Sequence, residues 1–323
     1  MSIRRWASAG SVLVLGVAMG VAASPARADA GNALMDVSAS VRVNDAGCAR
    51  PAWSSARTTL PIPADGRTRE LVVSQSGKAA ASSVTASRAV RGAYSADSRG
   101  MRRLAIRASA SVSAGPNASK VCAVTVLAAT TAFYTQSMTA PKRSWLVVRS
   151  SGSVRPASTR AVVGLTGGSV DDAGVKPGGS ITRLVPAGTY RIGAQLEPFV
   201  DVPVQTTTTR SAAASLTATV ALFPIGTLRA RSGDGLGYVK AGHRDCTYNR
   251  VKAYFSEAAR TKVRSATFSV DGERRFTLTG SQLQRDAIFV SSIPRASSGA
   301  IRVDILLRSG ARRTSYATSW PCA

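Results

Sequence analysis

Apolar and polar residues alternate with period two through most of the chain. Leu104, Ile106, Ala108, Ala110 and Val112 make one face, opposed by Ala105, Arg107, Ser109, Ser111 and Ser113. The same alternation runs through Val37, Ala39, Val41 and Val43, through Leu216, Ala218, Val220 and Leu222, and through Ile301, Val303, Ile305 and Leu307. Period two places successive side chains on opposite faces of a strand, so each run predicts a half-buried β-strand. Leu71-Val72-Val73, Trp145-Leu146-Val147-Val148 and Ala161-Val162-Val163-Gly164-Leu165 read as further strands. No long 3.6-residue period appears beyond residue 30, and only Phe255 to Arg264 has room for one helical turn.

Turn signals separate these runs. Asp271-Gly272 lies between Thr267-Phe268-Ser269-Val270 and Arg275-Phe276-Thr277-Leu278, the strongest short hairpin signal because both turn residues must accept positive φ. Ser309-Gly310 makes a later turn, after which Tyr316, Thr318 and Trp320 continue the pattern. Gly115-Pro116-Asn117, Gly167-Gly168, a solvated Asp171-Asp172 turn and Pro177-Gly178-Gly179 read as loops, and Ser232-Gly233-Asp234-Gly235 as a linker. Short strands with regular turns predict an all-β chain of tandem antiparallel β-sandwich domains. The expected units are a signal peptide over 1–30, a disulfide-linked sandwich over 31–140, a cysteine-free sandwich over 141–230 and a disulfide-bearing sandwich over 231–323.

Ala266-Thr267-Phe268-Ser269-Val270-Asp271-Gly272, with the ending Leu307-Arg308-Ser309-Gly310 and Pro321-Cys322, resembles the immunoglobulin-like modules of secreted actinobacterial proteins. That resemblance covers about residues 240–323 and implies an Ig-like fold more than a function, since such modules have adhesive, spacer or unknown roles. Val185-Pro186-Ala187-Gly188-Thr189-Tyr190-Arg191-Ile192 is similar to a hairpin of prealbumin-like, surface-anchored β modules, which implies another sandwich and a spacer role.

The leader supplies a compartment. Arg4 and Arg5 precede the apolar run Val12 to Ala23, and Ala28-Asp29-Ala30 offers a small-residue cleavage site, so the mature chain is expected to begin near Gly31. The apolar run is short for a membrane span. Arg4-Arg5 fits the twin-arginine route, but Trp6-Ala7-Ser8 lacks the usual apolar residues, which favours ordinary secretion. A lipid anchor or C-terminal wall-sorting signal is not indicated, and the expected location is extracellular or loosely wall-associated.

Four cysteines, Cys48, Cys122, Cys246 and Cys322, suit disulfides in an exported chain. Three pairings are possible. The similar Cys48–Cys122 and Cys246–Cys322 intervals favour sequential pairing. A metal site is the competing reading, but no two cysteines are close in sequence and there is one histidine. No metal or cofactor is expected.

Candidate chemistry is sparse. His243 with Asp245 two residues on could form an acid–base pair, though a surface histidine is the plainer reading. Asp171-Asp172 supplies too few oxygens alone for calcium. Trp53, Trp145 and Tyr238 are candidates for a sugar platform, but aromatics in so poor a set belong first to cores. Asn117-Ala118-Ser119 matches a glycosylation sequon, discounted in a chain of bacterial character. No catalytic motif appears, and catalysis is not expected.

Charge remains. Removing residues 1–30 takes three of 42 basic and one of 17 acidic residues, leaving +23, spread as +8, +6 and +9 over the three expected domains. Only seven basic residues are Lys, so composition alone explains part of the excess. The pairs Arg102-Arg103, Arg274-Arg275 and Arg312-Arg313 are candidate polyanion contacts, because guanidinium forks hold phosphate or carboxylate. The expected partners are anionic cell-wall polymers or envelope proteins, not nucleic acid. The expected function is non-catalytic binding, adhesion or spacing. A secreted hydrolase or a carbohydrate-binding accessory is the alternative.

Overall fold

The computed structural model describes residues 40–44, 48, 63–127, 130–156, 160–167 and 170–323. The leader, Trp53 and the sequence around the expected mature start lie outside them. The strands are β1 (Ser40–Val43), β2 (Arg69–Ala79), β3 (Ser82–Ala96), β4 (Arg102–Ala114), β5 (Val124–Leu127), β6 (Thr130–Ala140) and β7 (Ser144–Arg155). Then come β8 (Arg160–Gly167), β9 (Val170–Val175), β10 (Ser180–Val185), β11 (Gly188–Glu197), β12 (Phe199–Val202) and β13 (Arg210–Pro224). The last part holds β14 (Leu228–Ser232), β15 (Val239–Asp245), β16 (Arg250–Phe255), helix α1 (Glu257–Lys262), β17 (Val263–Val270), β18 (Glu273–Thr279), β19 (Ala287–Val290), β20 (Ile301–Leu307) and β21 (Arg312–Ser319). The protein is all-β and its sheets are antiparallel, as the alternation predicts.

The first two expected sandwiches share one sheet. Its order is β10-β7-β13-β4-β3-β2, so the expected boundary at 140/141 does not separate two bodies. β4 pairs with β13 from Arg102↔Leu222 to Ala114↔Arg210. The two strands match in length and in inward face. Leu104 meets Val220, Ile106 meets Ala218 and Ala108 meets Leu216, so pairing joins two apolar rows into one wall. Such a match between distant strands leaves no local trace.

Two smaller sheets cover the inner face end to end. β6-β11-β8-β9 packs over one half, where Leu104, Ile106 and Leu216 meet Met138, Tyr190 and Ile192. β1-β5-β12 covers the other half, where Val84, Ala86 and Val112 meet Val124, Val126 and Val200. Strand β3 contributes to both cores, and Arg88, 2% exposed, lies between its two apolar stretches. Cys48–Cys122 closes this second core, Cα to Cα 5.8 Å. Many core residues are Ala and Val, which bury little area each, so a cross-link weighs more here than in a Leu-rich core.

The C-terminal sandwich packs β14-β21-β20-β17-β18 against β15-β16-β19. β14 belongs to its larger sheet, paired with β21, so the unit begins before residue 231. The expected linker Ser232-Gly233-Asp234-Gly235 lies against this unit, with only Gly235 buried. Gly233 Cα lies so close to Thr314 that a Cβ would stand 2.1 Å from its carbonyl oxygen. Asp271-Gly272 turns β17 into β18 with φ of +51° and +89°, as the dipeptide predicts. Cys246–Cys322 ties the end of β15 to the segment after β21. The one helical turn expected near Phe255 is α1, capped by the Ser256 side chain.

Three local expectations are corrected. Tyr316 and Thr318 do not line the core. Ile301 pairs with Ala317 and Val303 with Ser315, and paired residues share a face, so the small side chains go in and Tyr316 goes out. The Pro186-Ala187-Gly188 corner does not close a hairpin. β10 pairs with β7 and β11 with β6 and β8, so the corner carries the chain from one layer to the other, held by Tyr190 Oη donating to Pro186 O. Asp171 and Asp172 lie on β9 instead of in a turn.

Candidate anion-binding cleft

The outer face of the long sheet carries small side chains. Cross-strand register places Ala105, Thr219 and Arg149 in one row, and Arg103, Ala221 and Val147 in the next. Ala and Thr leave a depression between the bulkier neighbours, and β4, β13 and β7 floor it. The C-terminal sandwich closes one end with Arg229, beside β14's first residue, and with Trp320. The resulting cleft has a volume of about 420 Å³.

Its end wall is an aromatic stack. Trp320 lies on Phe223 at 4.9 Å between ring centroids and on Trp145 at 5.9 Å. Trp145 Nε1 donates to Pro321 O, tying the long sheet to the C-terminal segment. The guanidinium of Arg229 lies 4.9 Å from the Trp320 ring centre, and that of Arg103 lies 5.8 Å from Phe223. Ring faces attract cations and restrain them without using their N–H groups. Arg103, Arg149 and Arg229 make no ion pair among the described residues. The described lining contains no carboxylate, imidazole or thiol. Asp65, beside the lining residue Gly66, is held by Arg69 at 2.7 Å, and that hydrogen bond keeps its carboxyl below the usual range. The site therefore offers three guanidinium forks and a ring wall with no competing anion.

The junction behind the cleft holds the single histidine. His243 Nδ1 accepts from Leu228 N–H at 3.0 Å, and Nε2 lies 2.9 Å from Arg99 Nη1 across the two units. Burial first, then Arg99 and Arg231, push its pKa below the ordinary value. Asp245 does not orient it. Its oxygens accept from Thr247 and Tyr248 backbone N–H groups and pair with Arg250. No acid–base pair forms at His243.

The six arginines singled out by sequence are not brought together. Neighbours on a strand point to opposite faces, so Arg103 faces the cleft while Arg102 turns back to donate to Asp97 O and Met101 O. Arg274 donates to Thr277 Oγ1 and Arg275 pairs with Glu273 at the β17–β18 hairpin. Arg312 and Arg313 line a shallow depression with Arg302 and Asp304, where Arg313 pairs with Asp234 and Arg302 with Asp304. Trp145 belongs to the junction and Tyr238 packs on the C-terminal core, so the proposed sugar platform is not built from them. Asn117 is fully buried and donates to Cys122 O and Pro203 O, which leaves the sequon no accessible amide. No group of three or more metal-ligating side chains occurs among the described residues. Sequence reading missed Arg149, Arg229, Phe223 and Trp320. They converge through long-range register and domain packing, for which the sequence carries no spacing signal.

No family model matches the sequence, and searches of curated proteins and solved structures return no match.

Proposed function

We propose that this is a non-catalytic, secreted or envelope-associated β-sandwich protein that holds anionic polymers of the cell exterior in the cleft between its two units. The observation that carries this reading is the convergence of Arg103, Arg149 and Arg229 on one aromatic-walled cleft without a described acid. Guanidinium forks match phosphate and carboxylate, and rings behind them exclude water and strengthen the pairing. Two disulfides support an oxidising compartment. The absence of an acid or imidazole from the described lining supports binding over acid–base chemistry. The Asp271-Gly272 hairpin within a five-on-three-strand sandwich supports an Ig-like reading of the C-terminal unit.

The test is retention on polyphosphate and on a purified phosphate-bearing wall glycan as salt rises. The Debye length falls from about 10 Å at 0.1 M to about 3 Å at 1 M, so retention should weaken steeply over that range. The triple variant Arg103→Ser, Arg149→Ser, Arg229→Ser should elute at clearly lower salt than a variant of three exposed arginines elsewhere, Arg264→Ser, Arg285→Ser and Arg308→Ser. Equal loss in both would reduce the cleft to general surface charge and overturn its assignment.

A further inference from the structure

The outer face of β15-β16-β19 carries a second feature, separate from the cleft. In a chain with only seven Phe, four Trp and seven Tyr, three exposed aromatics gather there. Tyr248, Tyr254 and Phe289 are 64%, 47% and 49% exposed. Each is fixed. Tyr254 lies across Gly242, whose missing side chain makes room: a Cβ there would stand 3.1 Å from the ring. Arg250 is sandwiched between Tyr248, 4.4 Å, and Phe289, 4.1 Å, and its charge is met by Asp245. The Tyr248 turn is pinned by Asp245 and by the adjacent Cys246–Cys322 disulfide.

Two lysines flank the rings. Lys240 is the Cα partner of Tyr254, and Lys252 is the partner of Phe289, with its ammonium 5.2 Å from the Tyr254 ring. Both are exposed, and neither makes an ion pair among the described residues. Tyr254 pairs with Ala287, so Phe289 is its diagonal neighbour, roughly 7–8 Å away in an antiparallel sheet. A disaccharide or longer chain is long enough to lie across both rings.

We propose that this face binds an acidic polysaccharide, its rings stacked on Tyr254 and Phe289 and its carboxylates or phosphates held by Lys240 and Lys252. Size and charge select this occupant. Three strands of at most seven residues present roughly 300 Å², from strand spacing and rise. A stable protein partner needs about 800 Å² per side, so a narrow linear ligand fits better. Tyr254 lies against Gly242 and Phe289 against Arg250, and a lysine stands beside each ring, which disfavours insertion into a bilayer core. The two unpaired lysines favour acidic over neutral sugars.

The full chain carries the test, with four probes: polygalacturonate has rings and charge, dextran has rings alone, polyphosphate has charge alone, and anionic phospholipid vesicles present a charged bilayer. Affinity electrophoresis in 0.5 M salt should show polygalacturonate bound at least tenfold more tightly than dextran. Tyr254→Ala with Phe289→Ala should weaken polygalacturonate at least tenfold and leave polyphosphate retention unchanged. Lys240→Gln with Lys252→Gln, at exposed positions that do not endanger the fold, should weaken polygalacturonate and not dextran. The cleft variant should retain polygalacturonate binding, which separates failure of this site from failure of the cleft. Unchanged polygalacturonate affinity in both platform variants overturns the proposal. So does dextran binding equal to polygalacturonate, or a matching loss of binding to anionic phospholipid vesicles.

Discussion

Arg244 shows what a single side chain does here. It is 4% exposed, and its guanidinium donates to Ser297 O, Ile293 O and Pro294 O, with no acid in contact. Burial pushes its pKa down. The residue replaces secondary structure for a connection that makes few backbone bonds of its own. Arg244→Met removes every donor and leaves the Ser297 and Ile293 carbonyls unmet, while Pro294 O keeps the bond from Ser297 N–H, so the protein should lose about 3 kcal/mol, read by urea unfolding. Arg244→Lys should recover only part, because an ammonium cannot reproduce the planar fork. None of this was legible in His243-Arg244-Asp245, where the flanking acid–base pair drew attention. A bulge between Ala241 and Arg244 in the β15–β16 pairing changes which of the three residues points inward.

Among the elements, glycine turns allow a sharper comparison. Gly233 and Gly272 both have positive φ, at +103° and +89°. Around Gly272 a Cβ meets nothing within 4 Å, while at Gly233 it meets Thr314 O. Gly272→Ala should therefore cost only backbone strain, about 1 kcal/mol. Gly233→Ala should cost clearly more, roughly 2–3 kcal/mol, because β14 must shift against β21. Thermal melts of the two variants side by side measure the difference. Loss of the Cys246–Cys322 bond by the double change to Ala should remove up to about 4–5 kcal/mol in the chain-entropy model, and the same melts measure it. At this scale the sequence was informative where chemistry is local. Asp271-Gly272 and the Leu104–Val112 face were legible for that reason, and the disulfide pairing was legible from the matching intervals of 74 and 76 residues instead. Tyr316 was misread because its face depends on register with β20. The Ser232–Gly235 stretch was misread because small residues look alike in a linker and in a tight packing contact.

For the whole molecule, the junction makes stability depend on pH. Both His243 nitrogens face N–H donors; the neutral ring can accept from one of them, and a protonated ring with two N–H groups from neither. Lys142 adds to the effect of Arg99 and Arg231, and Asp97 opposes it. The folded pKa thus lies below the unfolded value of 6.5, and the unfolded chain binds the proton more readily. Stability from this contact is complete above that pH and is lost as pH falls from it through the folded pKa. The melting temperature should drop between pH 7 and pH 5, and His243→Gln should flatten that drop. An identical slope in the variant would exclude the junction as its source. The cleft, which depends on the same junction, was the least legible part of the molecule: Arg103, Arg149 and Arg229 become neighbours only after three separate chain segments have met.

The pairing of β4 with β13 also sets an order of events. Residues 102–114 can complete their sheet only when residues 210–222 are present, a loop closure of roughly a hundred residues that slows folding. A chain emerging from its N-terminus stays open, with one bare edge of β4, until about two thirds of the polypeptide has been made. The C-terminal sandwich, closed within its own span, can form sooner after its synthesis than the body that precedes it. Refolding should then show two phases: a fast one reported by Phe268 and its neighbours, and a slower one reported by the Trp145–Trp320 stack, which has no partner surface until the long sheet is whole.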